Sequence, residues 1–182
     1  MCCTHTKKLK PYQYFECGYK VVTRECFFPN AGTKKTVIVT SLYNTHHWKI
    51  GENRAKGKTI HIRQKEGKID GGKFHSFVSL SDAEKFVKYK NQSDWCNFGA
   101  RDTWDADKFI IIKVSLKGAQ YSGVMHSGFE VVDGCINVLA KTVEWDGLQL
   151  VGKKWKKIRG LSTEDTNYSC QKSHIRPTKV FK

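Results

Sequence analysis

The stretch Phe109-Ile110-Ile111-Ile112-Lys113-Val114-Ser115-Leu116 decides the fold of this 182-residue chain. Isoleucine, valine and phenylalanine dominate it, and these side chains fit the pleated surface of a sheet. The stretch predicts the strongest strand of the chain. We expect Gly118 to end it.

Further runs of β-branched or alternating apolar residues flank this strand on both sides. They predict strands at 19–23, 36–43, 59–63, 74–78 and 135–145. We expect 36–43 to be a central strand because its β-branched residues are nearly continuous. Asp146-Gly147 is a hairpin signal, so residues 148–151 are the expected return strand.

One helix is clearly indicated. Ser81-Asp82-Ala83-Glu84 matches a capping box, with Ser81 as the N-cap and Glu84 reaching back to it. Ala83, Phe86 and Val87 follow at the spacing of one apolar helix face. The helix is predicted at about 81–90, and the fold class is α+β: a strand-rich mixed or antiparallel sheet with one helix.

The chain has three prolines and no Gly/Ser linker, which favours a compact unit. We expect residues 1–152 to form an α+β domain. Residues 153–182 are a basic C-terminal segment, expected to pack on the same domain.

The net charge is the strongest functional signal. The chain carries 32 Lys+Arg against 17 Asp+Glu, a formal net charge of +15. Residues 1–90 carry +11, residues 91–152 carry −3 and residues 153–182 carry +7. Such a field attracts polyanions, so the charge indicates nucleic acid or a nucleoprotein as the partner. The alternative is a solvated, lysine-rich exterior.

Two basic segments are the candidate binding sites. The first places five cations around one indole, which suits phosphate contacts beside a stacking platform; its residues are Lys153, Lys154, Trp155, Lys156, Lys157 and Arg159. Burial of Trp155 among solvated lysines is the equally weighted alternative. The second segment comprises Lys49, Arg54, Lys56, Lys58 and Arg63. No base-reading motif is present, so we expect backbone binding to DNA or RNA without sequence preference.

Metal and cofactor chemistry finds little support. The seven cysteines are irregularly spaced and none lies in a C-x-x-C pair. Reduced thiols and surface histidines are expected, with no metal and no cofactor.

Catalysis is the second hypothesis. His75 lies just before the predicted helix, and His61 and His126 are further histidines. No nucleophile elbow, Walker loop or dinucleotide fingerprint accompanies them. We therefore expect a protein that is not an enzyme. The alternatives are a small nucleotide-directed enzyme, ADP-ribosyltransferase-like or nuclease-like, and a structural protein that condenses nucleic acid.

No apolar run approaches the roughly 18–20 residues of a membrane-spanning helix. The beginning of the sequence also lacks the apolar core of a signal peptide. We expect a protein without a membrane partner, located in the cytoplasm of a bacterial host.

Several short motifs resemble small accessory proteins of gut bacteriophages and mobile elements, over about residues 19–145. The motifs are Met1-Cys2 ahead of this range, Tyr19-Lys20-Val21-Val22, Gly72-Lys73-Phe74-His75-Ser76-Phe77, Asp82-Ala83-Glu84, Ile111-Ile112-Lys113-Val114 and Cys135-Ile136-Asn137-Val138-Leu139-Ala140. Among such proteins the chain resembles the type II anti-CRISPR class, the inhibitors of Cas9. The resemblance implies stoichiometric inhibition of a Cas9 ribonucleoprotein, and no functional residue is carried over from it. A basic chain cannot mimic DNA, so inhibition is expected to act through guide RNA, target DNA or an acidic protein face.

Overall fold

The computed structural model describes residues 2–27, 36–41, 46–56, 72–92, 109–126 and 133–162. The predicted strand at 59–63 lies outside these residues. The elements in chain order are β1 (Cys2–Lys8), a 3-10 turn (Pro11–Gln13), β2 (Cys17–Phe27), β3 (Thr36–Ser41), β4 (Gly51–Arg54), β5 (Phe74–Phe77), α1 (Leu80–Gln92), β6 (Phe109–His126), β7 (Ile136–Trp145), β8 (Leu148–Val151) and β9 (Lys154–Lys157). The described chain is a strand-rich antiparallel sheet with one α-helix.

Strand β6 is the centre of the sheet. It pairs antiparallel with β1, β2, β7 and β8. The prediction that Gly118 ends this strand is wrong. Gly118 takes a φ of 69° where the register with β7 shifts between Lys117 and Gln120, and the strand continues beyond this bulge. The buried Gln120 side chain then bonds both backbone groups of Phe15, at 2.9 Å and 2.8 Å, and so continues the ladder.

Four strands close into a ring. β2 pairs with β6, β6 with β7, β7 with β5, and β5 returns to β2 through the pair Tyr19 and Phe77. Gly18 permits this closure. A Cβ atom at Gly18 would lie 2.6 Å from the Cβ of Ser76, closer than side-chain atoms approach.

Apolar side chains are buried on both faces of the sheet. The first cluster includes Val39, Trp48, Ile112, Trp145 and Ile158. The second lies on the opposite face and contains the apolar side of α1, with Ala83 and Phe86 packed against Phe77 and Ile111. Burial of apolar surface dominates protein stability, so these two clusters are the main source of stability among the described residues.

The helix is confirmed, but the prediction of Ser81 as its N-cap is wrong. α1 begins at Leu80, and the carbonyl of Ser79 accepts the first helical bond from the Ala83 N–H at 3.3 Å. Ser81 therefore lies inside the first turn and is not the N-cap.

Two strand placements also differ from expectation. β3 lies at the end of the strand order instead of its centre. Its outer side is covered by single bridges from His47 and Leu161. The return strand β8 does not pair with β7, because β4 and β6 occupy both sides of β7 around Glu144. β8 pairs with β9 and, at one residue pair, with β6.

The first part of the basic C-terminal segment is integrated in the sheet. β9 pairs along its whole length with β8, and Ile158 is buried in the first cluster. Residues 163–182 lie outside the described residues. In the described part of the chain, no helix has the length and apolar character needed to cross a membrane.

Candidate nucleic-acid interface

Residues 148–159 form a β-hairpin with cations along its second strand, called here the basic hairpin. Leu148 pairs with Lys157 and Val151 pairs with Lys154. Gly152 makes the turn with a φ of 60°, a conformation that favours glycine. The tip, residues 151–154, is exposed on every residue, so the hairpin presents its turn to solvent.

The cations of the basic hairpin are exposed. Five of the seven residues 153–159 are Lys or Arg, and all five are exposed: Lys153, Lys154, Lys156, Lys157 and Arg159. No salt bridge joins any of them to a carboxylate among the described residues. Strand alternation places Lys154 and Lys156 on one face and Lys157 on the other. A polyanion can therefore contact the hairpin on both faces.

Trp155 is half-buried and stacks on Tyr19. The ring centroids lie 6.2 Å apart with an interplanar angle of 16°. Tyr19 covers part of the indole, so Trp155 anchors the hairpin as well as facing solvent. Lys113 pairs directly with Tyr19 and is exposed on the same face. Sequence reasoning missed Lys113, although it is the single cation that interrupts the apolar run of β6.

Residues 48–53 of the second basic segment, called here the Lys49 turn, lie near the base of the hairpin. Ile50 packs on the Asp146–Gly147 turn, since a Cβ at Gly147 would lie 3.0 Å from the Ile50 Cδ1. The Ile158 N–H in turn bonds the Gly147 carbonyl at 3.0 Å. Lys49 and Arg159 each adjoin a residue in this series of contacts, so both lie at the same end of the sheet.

Asn53 fixes the shape of the Lys49 turn. Its Nδ2 donates to the carbonyls of Lys49 and Gly51, at 2.8 Å and 3.0 Å, and its Oδ1 accepts from the Lys49 N–H at 3.1 Å. The Nε2 of His46 donates to the same oxygen at 3.2 Å. Both ends of the amide are satisfied, so Asn53 can be buried to 1% exposure.

Arg54 and Lys56 lie away from the hairpin, at the other end of β4. Arg54 pairs with Glu52 through its Nε at 2.7 Å, which offsets its charge. Lys56 is exposed beyond the end of the strand. Lys58 and Arg63 lie outside the described residues. The structure therefore brings together only part of the second predicted segment.

Burial lowers the pKa of His46 below its ordinary value of 6.5. The hydrogen bond to Asn53 acts in the opposite direction, and the charge of Lys20 lowers the pKa further. Lys20 is itself buried, and its Nζ donates to the His75 carbonyl at 3.0 Å. His46 is consequently neutral at pH 7 and orders the turn without adding charge.

The structure describes His75 and His126 of the three histidines considered for catalysis, together with the Cys135 thiol, which was not among those candidates. His75 lies on β5, one of the four strands that close into a ring, and is buried, with 9% exposure. Burial raises the pKa of the Cys135 thiol, and the nearby Asp82 raises it further. A thiol with a raised pKa is mostly protonated near neutral pH and is a poor nucleophile. His126 ends β6, and His61 lies outside the described residues.

Comparison of the chain with protein-family models, with curated proteins and with solved structures finds no match. The interface is therefore interpreted from its own geometry. Its strongest feature is a hairpin with five exposed cations, and Lys49 lies next to Ile50, which packs on the turn at the base of the hairpin.

Proposed function

We propose that this protein binds the sugar-phosphate backbone of nucleic acid through the basic hairpin. The supporting observation is the cluster of five exposed cations on one short hairpin, with no carboxylate of the described residues paired to them. Each Lys or Arg that neutralises a phosphate releases condensed counterions, which drives binding regardless of base sequence. Lys49 and Lys113 extend the surface at its base.

A competing explanation assigns the lysines to protection of the sheet edge. β9 is a terminal strand in the strand order, and charged edge residues discourage pairing with other chains. This explanation requires only charge, of either sign. The binding proposal requires positive charge, so charge reversal separates the two.

The test reverses Lys153, Lys154, Lys156 and Lys157 to Glu. A matched control reverses four exposed lysines elsewhere, Lys7, Lys8, Lys10 and Lys141. Both variants lower the formal net charge from +15 to +7, so they differ only in where the charge is removed. Affinity for a fluorescein-labelled oligonucleotide is measured by anisotropy, and circular dichroism checks the fold.

We expect the hairpin variant to lose at least about tenfold in affinity, equivalent to about 1.4 kcal/mol. The control should retain most of its binding. Equal losses in both variants would mean that only overall charge matters. Unchanged binding in the hairpin variant, with the fold intact, would refute the proposal.

The resemblance to Cas9 inhibitors extends the proposal to a partner in the bacterial cytoplasm. In this extension the hairpin contacts guide RNA or target DNA held by Cas9, and inhibition needs no turnover. Cleavage by the Cas9–guide complex should then fall in proportion to the inhibitor-to-complex ratio and be independent of incubation time. Time-dependent inactivation at sub-stoichiometric amounts would support the enzyme alternative instead.

We also propose that the fold belongs to the α+β class. The helix α1 covers one face of an antiparallel sheet and does not alternate with parallel strands.

A further inference from the structure

A groove of about 330 Å³ opens between α1 and the sheet, next to the basic hairpin. It lies where β8 and β6 separate after their single pair, Ile112 with Gln149. Phe109, Ile111 and Leu150 line it from the sheet, and Val87 lines it from the helix. This volume is at the small end of the range for small-molecule pockets, about 300–1,000 Å³.

Polar groups surround this apolar surface. Gln149, a side chain with only 8% exposure, lines the groove. Arg24 and Lys88 contribute two cations, and Glu84 contributes one carboxylate. Amide and carboxylate groups can bond the polar edges of a nucleobase, while the two cations give the opening a net positive charge.

The groove is continuous with the hairpin tip. Val151 and Gly152 line one end of it, and the exposed Lys153 and Lys154 follow directly in the chain. A strand whose phosphates contact these two lysines thus passes the mouth of the groove. Basic tracks beside apolar or aromatic base pockets are typical of proteins that bind single strands.

We propose that the groove receives one unpaired nucleobase of a strand whose phosphates lie on the basic hairpin. The protein then binds single-stranded nucleic acid in preference to duplex, because a paired base must first leave its stack to enter. This inference rests on the proposed function and adds the kind of nucleic acid that is bound. The occupant is a base, since the surface is apolar and flanked by cations that match a polyanionic strand.

The test compares an oligothymidylate of about 12 nucleotides, within the usual length of a single-strand site, with an abasic strand of the same length and charge. Anisotropy at fixed salt reports both affinities for the wild-type protein. We expect the abasic strand to bind about tenfold more weakly, or about 1.4 kcal/mol. Equal affinity for the two strands would overturn the inference, and this measurement needs no variant.

A groove-filling variant locates the effect. Val87→Phe adds a ring on the helix side of the groove, and Ile136→Phe adds the same ring at an exposed position that does not line it. Val87→Phe should weaken oligothymidylate binding about tenfold while leaving the abasic strand unaffected. Ile136→Phe should change neither affinity. A Val87→Phe protein that is folded and still prefers the strand with bases would contradict the assignment to this groove.

The two proposals fail in different ways. If reversal of the hairpin lysines leaves binding unchanged, the proposed function fails. If that reversal abolishes binding while the abasic and oligothymidylate strands bind equally, only the base-binding groove fails.

Discussion

Gly18 shows how a single residue sets the closure of the ring. β2 and β5 approach closely at this point, and the nearest atom to a Cβ at Gly18 would be the Cβ of Ser76. That atom is fixed to the backbone and cannot rotate away. Glycine is therefore required here by space, since no positive φ is involved.

We predict that Gly18→Ala destabilises the protein by about 1–3 kcal/mol, the usual cost of overpacking a core. Urea unfolding monitored by circular dichroism measures the change. The double variant Gly18→Ala with Ser76→Gly removes the clashing Cβ, so it should lose less stability than the sum of the single variants. Strict additivity would mean that the two residues do not meet as described.

His46 makes stability depend on pH. Its pKa is lowered in the folded protein, mainly by burial, so the unfolded chain takes up the proton first as pH falls. The stabilising contribution is complete above about pH 6.5 and is lost as pH falls through the folded pKa. We expect the urea midpoint to fall between pH 7.5 and 5, and His46→Gln to show a smaller fall. The other titratable groups largely cancel in this comparison. An identical pH dependence in both proteins would show that His46 does not contribute.

Individual residues of the site also show how much of it the sequence predicts. The cations of residues 153–159 form a run that is visible in the sequence, and the structure exposes all of them. Lys113 belongs to the same face only because β6 pairs with β2 in one register. Glu52 offsets the charge of Arg54 through an ion pair, which a count of charges along the sequence does not show. Strand register is a long-range property, so local sequence does not reveal it, whereas the ion pair joins residues only two apart.

At the element scale, apolar strands were predictable and polar ones were not. β6 and β7 have continuous or alternating apolar residues, and both were found from the sequence. β4 is Gly-Glu-Asn-Arg and β9 is Lys-Trp-Lys-Lys, so neither carries a strand pattern of its own. Each becomes a strand through a more apolar neighbour, β7 or β8, that supplies its ladder bonds. Tertiary pairing overrides local propensity in both cases.

The start of α1 gives a test at this scale. Ser81 is exposed and lies inside the first turn, so Ser81→Ala should leave the free energy of unfolding unchanged within about 0.5 kcal/mol. A true N-cap serine would cost about 0.5–2 kcal/mol on the same substitution. Ala83→Gly, at a fully buried helical position, serves as the positive control and should cost about 1 kcal/mol or more. A loss above 1 kcal/mol for Ser81→Ala would restore Ser81 as the cap.

At the scale of the whole molecule, the charge of +15 is distributed unevenly over the fold. On β4, and between the neighbouring strands β6 and β7, cations are paired with acids, as in Arg54 with Glu52 and Lys117 with Glu144. On the basic hairpin they are not paired within the described residues. Binding energy should therefore concentrate on the hairpin even though every lysine contributes to the long-range attraction of a polyanion.

Salt dependence separates local phosphate contact from this general attraction. The logarithm of the binding constant falls with the logarithm of salt concentration, with a slope of about −0.9 per phosphate neutralised on B-DNA and about −0.7 on single strands. Neutralising Lys153, Lys154, Lys156 and Lys157 to Gln should thus make the slope shallower by up to about 2.8 on a single strand if each lysine contacts one phosphate. The matched substitutions at Lys7, Lys8, Lys10 and Lys141 remove the same charge from other exposed positions and should leave the slope nearly unchanged. Anisotropy titrations over a range of potassium chloride concentrations measure both slopes. Equal slopes for the two variants would mean that the hairpin lysines form no closer contact with phosphate than the rest of the surface, because counterion release depends on contact and not on net charge alone.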